Sequence, residues 1–113
     1  MASDCIFCKI VAGEIPATVV KRTDRLLAFR DVGPQAPVHI LVIPTEHIAS
    51  LAAVQDGRLL GDMLMLARDI AADEKIAADG YRVVLNTNRN GGQTVFHLHL
   101  HLLGGRRLTW PPG

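Results

Sequence analysis

The most regular pattern of apolar and polar positions lies near the end of the chain, where histidine and leucine alternate over residues 97–103. Strict alternation is typical of a β-strand, in which every second side chain points to the same face. We therefore predict a strand over residues 95–103, with its leucines in the core and its three histidines lining a cleft or lying against other polar groups. Three titratable rings on one face favour a functional surface over a structural one.

Local periods and turn residues predict the other elements. Residues 38–44 are almost continuously apolar, which predicts a central strand covered on both faces. Residues 58–78 follow a 3.6-residue period, which predicts a long helix capped by Asp56 and stopped by Gly80. The remaining predicted elements are a short helix over residues 5–13 that ends at Gly13, strands over 18–22 and 25–29 that form a hairpin, a loop over 31–37, a helical turn near 49–53, a strand over 81–86 and a polar loop over 87–94.

The order of these elements indicates the fold class. Strands and helices do not alternate regularly and the connections between strands are short, so we predict one α+β domain over residues 1–113, an antiparallel sheet with its helices on one side. The predicted buried positions of the two helices are Ile6, Phe7, Ile10 and Val11 in the short one, and Leu60, Met63, Leu64, Ala67, Ile70 and Ala71 in the long one.

Composition and charge exclude several classes of partner. The 113 residues carry a formal net charge of +1, without the basic surface that nucleic acid or an acidic membrane requires. The first residues lack a signal-peptide pattern, and no apolar run is as long as a membrane span, so we expect a cytoplasmic protein. The two cysteines are too few for a disulfide framework, which leaves them as thiols or metal ligands.

The histidine strand permits two kinds of chemistry. Same-face residues of a strand are about 6.6 Å apart at Cα, so two neighbouring histidines can share a metal ion but three cannot easily do so. Alternatively, one neutral imidazole acts as a nucleophile, while its second nitrogen donates to an acceptor that fixes the tautomer. The loop before the strand contains Asn86 and the glycines Gly91 and Gly92, whose backbone N–H groups suit an anionic substrate.

Segments from most of the chain together resemble one family. The alternating histidines match the histidine triad (HIT) signature, and the ending of the chain and its Gln-Ala-Pro segment resemble the Hint branch, the histidine triad nucleotide-binding proteins. The other matching segments are Ile15-Pro16-Ala17, Phe29-Arg30-Asp31, residues 34–44, residues 91–96, residues 103–106 and Trp110-Pro111-Pro112-Gly113.

The resemblance implies a five-stranded antiparallel sheet with one long and one short helix, and a homodimer that joins two such sheets. It also implies hydrolysis of purine nucleoside phosphoramidates, such as adenosine 5′-monophosphoramidate, through a nucleotidyl-histidine intermediate on His99 and without a catalytic cofactor. His101 would assist at the phosphate, and His39 and His97 would support the triad. The implied substrate contacts are Asp31 and Val32 at the ribose, Phe7, Ile10, Phe29 and Leu41 around the purine, Asn86, Gly92, Gln93 and Thr94 at the phosphate, and Trp110 at the partner's active site.

Two alternatives stay open at this point. Cys5 and Cys8 have the spacing of zinc ligands, and some members of the family complete such a site with histidines that match His47 and His97 here, yet free thiols fit the same spacing. The activity has an alternative as well: a dimeric module that binds purine nucleotides (AMP, GMP, phosphoramidates or acyl-adenylates) as a scaffold and turns them over only incidentally.

Overall fold

A five-stranded antiparallel sheet with strand order β1-β2-β3-β5-β4 forms the centre of the molecule. The computed structural model describes residues 4–113. The first three residues belong to the N-terminal segment that is predicted to lack a signal peptide, and they lie outside the described residues. The elements are α1 (Ile6–Val11), β1 (Val19–Arg22), β2 (Leu26–Arg30), β3 (Val38–Pro44), a 3₁₀ turn (Leu51–Ala53), α2 (Gly57–Asp73), β4 (Tyr81–Val84), α3 (Asn88–Gly91) and β5 (Leu100–Gly104).

The long helix α2 covers one face of the sheet. Its side chains at Leu59, Met63 and Ile70 pack with residues of β2, β3 and β5 to form the larger hydrophobic cluster. The three leucines of the alternating segment, at 98, 100 and 102, belong to this cluster and are almost fully buried, as predicted. Among the described residues, no helix is long and apolar enough to cross a membrane.

The short helix α1 lies on the opposite face, which corrects the prediction that both helices share one side. Its residue Phe7 packs against alternate residues of β2 and β3, namely Leu27, Phe29, Leu41 and Ile43. Both faces of these strands are apolar, so each face requires cover, and a helix on one side leaves the other exposed. The functional cleft described below forms on the α1 face.

The predicted end of the long helix is wrong. The helix α2 starts after the N-cap Asp56, as predicted, but it ends at Asp73 and not near residue 78, because Glu74 is its C-cap and Lys75 has a positive φ of 62°. The carboxylate of Glu74 binds Arg30 of β2 through two hydrogen bonds of 2.9 and 3.0 Å. This long-range ion pair connects the helix end to β2, and the local period contains no signal for it.

Several predicted burials are also corrected: Ile6 and Leu64 are exposed, and Ile10, Val11 and Leu60 are only partly buried. The chain buries Leu59 and leaves Leu64 exposed, because the adjacent leucines 59 and 60 allow two phases of the helical period. Leu60 is partly buried at the edge of the cluster. On α1, Ile6 is exposed, although it is one of the positions predicted to be buried.

The histidine segment is a regular strand only in its second half. The pairing of β5 begins at Leu100, opposite Val42 of β3, whereas residues 95–99 are irregular. In that part, the backbone N–H of Leu98 donates to the carbonyl of Ile48, which belongs to a loop, so no neighbouring strand is available there. The predicted strand over residues 95–103 is therefore too long at its start, and the predicted polar loop contains the one-turn helix α3.

Candidate active site

Four of the five histidines form a row on the α1 face, and two of them, His99 and His101, line a cleft there. The rings of His99 and His101 are 4.9 Å apart at their centroids, and those of His39 and His101 are 5.2 Å apart. Strand register explains the second pair: Leu41 lies opposite His101 and His39 lies two residues earlier, so His39 is the diagonal neighbour on the same face. The order of the rings is thus His97, His99, His101 and His39.

Hydrogen bonds fix the tautomers of His39 and His101. The backbone N–H of Gln35 donates to His39 Nδ1 at 3.0 Å, so the proton of a neutral His39 lies on Nε2. This Nε2–H donates to His101 Nδ1 at 2.9 Å, which leaves the proton of His101 on its own Nε2. Burial lowers the pKa of His39, and burial together with the nearby His99 and His39 lowers the pKa of His101 to about 4. Both rings are therefore neutral near pH 7.

The carboxylate of Asp31 completes this chain of contacts. Its Oδ2 lies 3.5 Å from His39 Nε2, and its Oδ1 accepts from the backbone N–H of Gly33 at 2.7 Å. The negative charge of Asp31 opposes the effect of burial on the pKa values of both His39 and His101. Asp31 follows β2 directly, and its own N–H donates to the carbonyl of His39, which ties the carboxylate to the rim of the cleft.

The tautomer of His99 is fixed from the main chain. Its Nδ1 lies 2.7 Å from the carbonyl oxygen of His97, an acceptor only, so Nδ1 donates and Nε2 keeps its lone pair. The ring of Phe7 packs edge-on against His99 with centroids 5.2 Å apart. A neutral imidazole with a free Nε2, held by a carbonyl at Nδ1, is the form required of a nitrogen nucleophile.

The cleft itself has a volume of about 440 Å³, within the range of small-molecule sites. Its walls are mostly apolar, and Asp31, Thr94, His99 and His101 are the main polar groups along it. The predicted site residues that line it are Phe7, Ile10, Phe29, Asp31, Val32, Leu41, Thr94, His99 and His101. Ile6, Ile15, Pro16, Ala17, Arg30 and Val95 also line it and were missed as site residues. The triplet Ile15-Pro16-Ala17 lies between two predicted elements, so only its match to the family could have indicated that it forms a wall of the cleft.

The remaining predicted residues lie behind the cleft or away from it. His39 stands behind His101, as described above. Asn86 and Gly92 belong to the segment around α3, where Gly92 forms the left-handed C-cap with φ of 81°. Trp110 is 80% exposed, and the guanidinium of Arg82 lies 5.9 Å from its ring centroid. Within one chain, therefore, Trp110 does not line the cleft.

Gln93 is a buried clamp between two loops. Its side-chain Nε2 donates to the carbonyls of Ala49 (2.8 Å) and Val95 (3.0 Å), and its Oε1 accepts from the backbone N–H of Asn88 (2.9 Å). These three bonds engage the amide with the protein's own backbone. In this arrangement Gln93 shapes the segment that carries Thr94, and its amide does not line the cleft.

The two cysteines and two of the histidines form a second cluster beside the first. The Sγ of Cys5 and that of Cys8 lie 3.4 and 3.5 Å from His97 Nδ1, and Cys8 Sγ lies 3.4 Å from His47 Nδ1. One ligand atom from each of the four residues falls within 4.8 Å of the others. Two sulfurs and two imidazole nitrogens form the donor set that tetrahedral zinc prefers.

The hydrogen bonding of His97 agrees with a role as a metal ligand. Its Nε2 donates to the carbonyl of Pro44 at 2.9 Å, so Nδ1, the nitrogen that faces the two sulfurs, keeps its lone pair. Burial lowers the pKa of His97 and so favours the neutral ring. Burial first, and then the neighbouring Cys5, raises the pKa of Cys8 to about 11, so a metal ion would have to displace the thiol proton.

An antiparallel sheet with an apolar cleft lined by neighbouring imidazoles defines a class of α+β proteins that can bind a small ligand beside their histidine side chains. A model of the HIT domain matches residues 12–108, and the chain belongs to the HIT domain family.

Two relatives and one solved structure match nearly the whole chain. The chain is 57% identical to an uncharacterized HIT-like protein of Synechococcus elongatus over 115 residues, which cover all of both proteins. It is 50% identical to the purine nucleoside phosphoramidase of Escherichia coli K12 over 110 residues, 96% of this chain and 92% of that protein. The crystal structure of a HIT family hydrolase from Legionella pneumophila superposes with a TM-score of 0.93 and 55% identity, covering 96% of this chain and 99% of the other.

Proposed function

We propose that this protein hydrolyses purine nucleoside phosphoramidates and that His99 is the nucleophile. The observation that carries the proposal is the 2.7 Å bond between His99 Nδ1 and the carbonyl of His97, which leaves Nε2 free at the end of an apolar cleft. The name of the Escherichia coli relative, a purine nucleoside phosphoramidase, supports the choice of substrate.

The proposed reaction has two steps. In the first, His99 Nε2 attacks phosphorus and the P–N bond breaks, so the nucleotidyl group is bound to His99 and the amine leaves. His101 assists through its Nε2–H, which donates a hydrogen bond to a phosphoryl oxygen while its Nδ1 accepts from His39. The leaving nitrogen carries its extra proton from the start, in the N-protonated form of the phosphoramidate, and departs as the neutral amine. In the second step, water attacks phosphorus, the P–N bond to His99 breaks and returns the lone pair to Nε2, and the water releases one proton to solvent. The products are a nucleoside monophosphate and an amine.

Different walls of the cleft would contact different parts of the substrate. The purine would lie against Phe7, Ile10, Phe29 and Leu41, which are apolar and mostly buried. Asp31 would accept hydrogen bonds from the ribose hydroxyls beside the exposed Val32. The phosphate would meet Thr94 together with backbone groups of the segment that includes Asn86 and Gly92, which Gln93 holds in place.

A trapped adduct tests the proposal. Turnover of adenosine 5′-monophosphoramidate is quenched in acid-free denaturant and intact mass is recorded. The wild-type protein and His101→Ala should both show the added nucleotidyl mass, with slower formation in the variant, whereas His99→Ala should show none and still bind AMP. An adduct on His99→Ala, or unchanged turnover by it, would contradict the proposal. A partner that binds equally well to His99→Ala would favour the scaffold alternative.

We also propose a homodimer formed through the edge strand β4. This strand ends the sheet, and its exposed side chains Tyr81 and Val83 are large and apolar for an open edge. A dimer formed there would join two sheets and allow Trp110 to approach the partner's cleft. Sedimentation of Val83→Lys should give a monomer. The same substitution of Val19, an exposed residue on the other edge strand β1, should leave the dimer intact.

We further propose that Cys5, Cys8, His47 and His97 hold a structural zinc ion. The ion would cross-link α1 to the histidine segment, and catalysis would not require it. Purified protein should contain about one zinc per chain by elemental analysis, and chelation should lower the melting temperature. Cys8→Ser should remove the metal, whereas a protein that melts identically with and without chelator would contradict the proposal.

A further inference from the structure

The loop that precedes β3 supplies the hydrogen bond on which the His39–His101 pair depends. The backbone N–H of Gln35 donates to His39 Nδ1 at 3.0 Å, and His39 Nε2 lies 2.9 Å from His101 Nδ1. Because a neutral imidazole has one donor and one acceptor nitrogen, this single N–H sets the direction of both hydrogen bonds. The loop therefore determines which nitrogen of His101 carries the hydrogen.

Without the N–H of Gln35, the opposite arrangement of protons becomes available. The hydrogen of His39 would then lie on Nδ1, and its Nε2 would accept from His101 Nδ1. In that form, His101 Nε2 holds a lone pair and cannot donate to a phosphoryl oxygen. The carboxylate of Asp31 also favours a proton on His39 Nε2, but at 3.5 Å it is beyond the usual range of a hydrogen bond and gives weaker support.

The segment that follows β5 holds this loop from outside the cleft. Strands β3 and β5 pair antiparallel with Val38 opposite Gly104, so the residues after Gly104 continue alongside the loop. Arg106 Nε and Nη2 both donate to the carbonyl of Gln35, at 3.1 and 2.9 Å. The residue that donates to His39 is thus itself held through its own carbonyl.

The guanidinium of Arg106 is well suited to fixing one carbonyl. It is planar and permanently charged, and charged donors make stronger hydrogen bonds than neutral ones. Its Nη1 donates to the carbonyl of Arg107 at 3.1 Å, which ties the group to its own segment. Arg106 does not line the cleft, so its connection to the reacting atoms runs through Gln35 and His39.

We propose that Arg106 is a positioning residue for the reaction. By holding the carbonyl of Gln35, it keeps the N–H of the same residue on His39, and so keeps the hydrogen of His101 on the nitrogen that faces the phosphate. This inference rests on the proposed phosphoramidase activity and adds to that site a residue that does not touch the substrate.

Substitution of Arg106 tests the proposal by steady-state kinetics with adenosine 5′-monophosphoramidate. Arg106→Met removes the hydrogen bonds, so kcat should fall about tenfold, the rate equivalent of roughly one hydrogen bond to a charged group. KM should change by about twofold or less, because the walls around the nucleoside are unaltered. Arg106→Lys can still donate to the carbonyl of Gln35 and should recover part of the lost rate.

The matched control is Arg107→Met. This substitution removes the same charge from an exposed neighbour and keeps the main-chain carbonyl that accepts from Arg106. Its kcat and KM should equal those of the wild-type protein. In a His39→Ala background, Arg106→Met should cause little further loss of kcat, because the connection through His39 is already broken.

NMR of the imidazole nitrogens gives a readout that a merely structural role would not move. In the substrate-free wild-type protein and in Arg107→Met, the hydrogen of His101 should lie on Nε2, whereas Arg106→Met should show a measurable fraction on Nδ1. Unchanged tautomers in Arg106→Met, or an equal loss of kcat with and without His39, would overturn the proposal. If the wild-type protein hydrolyses no phosphoramidate, the proposed activity fails, while the NMR spectra still decide whether Arg106 controls the tautomers.

Discussion

Replacing Gln93 separates two roles for this residue, a contact with the phosphate and a structural clamp. Gln93 is 7% exposed and its amide makes three hydrogen bonds of 2.8, 2.9 and 3.0 Å to backbone groups. These bonds connect the loop at Ala49 with the segment from Asn88 to Val95. The substitution Gln93→Met keeps the length of the side chain and removes all three bonds.

The expected loss of stability follows from these bonds. A hydrogen bond within a protein contributes a net ~1 kcal/mol, so the loss of three should cost about 3 kcal/mol, and more if the freed backbone groups stay dry. For a domain of this size, each kcal/mol lowers the melting temperature by about 4 °C, which gives a decrease of about 12 °C. Affinity for AMP should fall only modestly, because Thr94 is loosened but no ligand contact is deleted.

Thermal unfolding by circular dichroism and AMP titration by calorimetry measure the two effects. The matched control is Gln35→Met, because Gln35 is exposed and its amide donates one hydrogen bond, to the carbonyl of Gly33. This control should change the melting temperature by about 2 °C or less, since exposed bonds compete with water. A Gln93→Met protein that melts like the wild type but binds AMP more than tenfold more weakly would refute the clamp and favour a direct phosphate contact.

Two further predictions concern packing and protonation. Gly104→Ala should destabilise the protein by about 1–3 kcal/mol, because the new Cβ would lie 2.5 Å from Cδ1 of the buried Ile76. Gly61→Ala on the helix α2 has nothing within 4 Å of the new Cβ, so it should stabilise the protein by about 0.5–1 kcal/mol. Urea unfolding measures both changes, and equal shifts of the two variants would contradict the steric argument. The titration of His101 followed by NMR should have its midpoint near the pKa of about 4. Its contribution to stability should be complete above pH 6.5 and decline as the pH falls towards 4, because the unfolded chain takes up the proton first. A titration midpoint at or above 6.5 would contradict the neutral His39–His101 pair.

The sequence predicts the elements whose signals are local. The strand β3 occupies residues 38–44 as predicted, because its apolar run ends at Pro44, and α2 begins at its predicted cap Asp56. The errors occur where distant residues decide the local structure. The end of α2 is paired with Arg30 of β2 through Glu74, and the backbone at the irregular start of the histidine segment pairs with a loop at Leu98.

The candidate site, like the fold, is predictable from the sequence only where its signal is local. Alternation alone placed the histidines on a face opposite the buried leucines, and the structure confirms the burial of those leucines. The continuous apolar run of β3 predicts cover on both of its faces, but neither composition nor period indicates which element covers the second face. The position of α1 as a cleft wall could therefore not be predicted from the sequence pattern. Likewise, a glutamine such as Gln93 can bind a ligand or hold the backbone. Only the three hydrogen bonds to backbone groups in the structure show that it connects two loops.

His97 links the two clusters through different parts of one residue. Its imidazole faces Cys5 and Cys8, while its carbonyl accepts the hydrogen bond from His99 Nδ1 that fixes the tautomer of His99. Any residue at position 97 would supply the carbonyl, because the acceptor belongs to the main chain. The imidazole of His97 therefore contacts the cysteine cluster, whereas the tautomer of His99 depends only on the position of the main-chain carbonyl. Phe7 packs edge-on against both His97 and His99, so it constrains the two rings together.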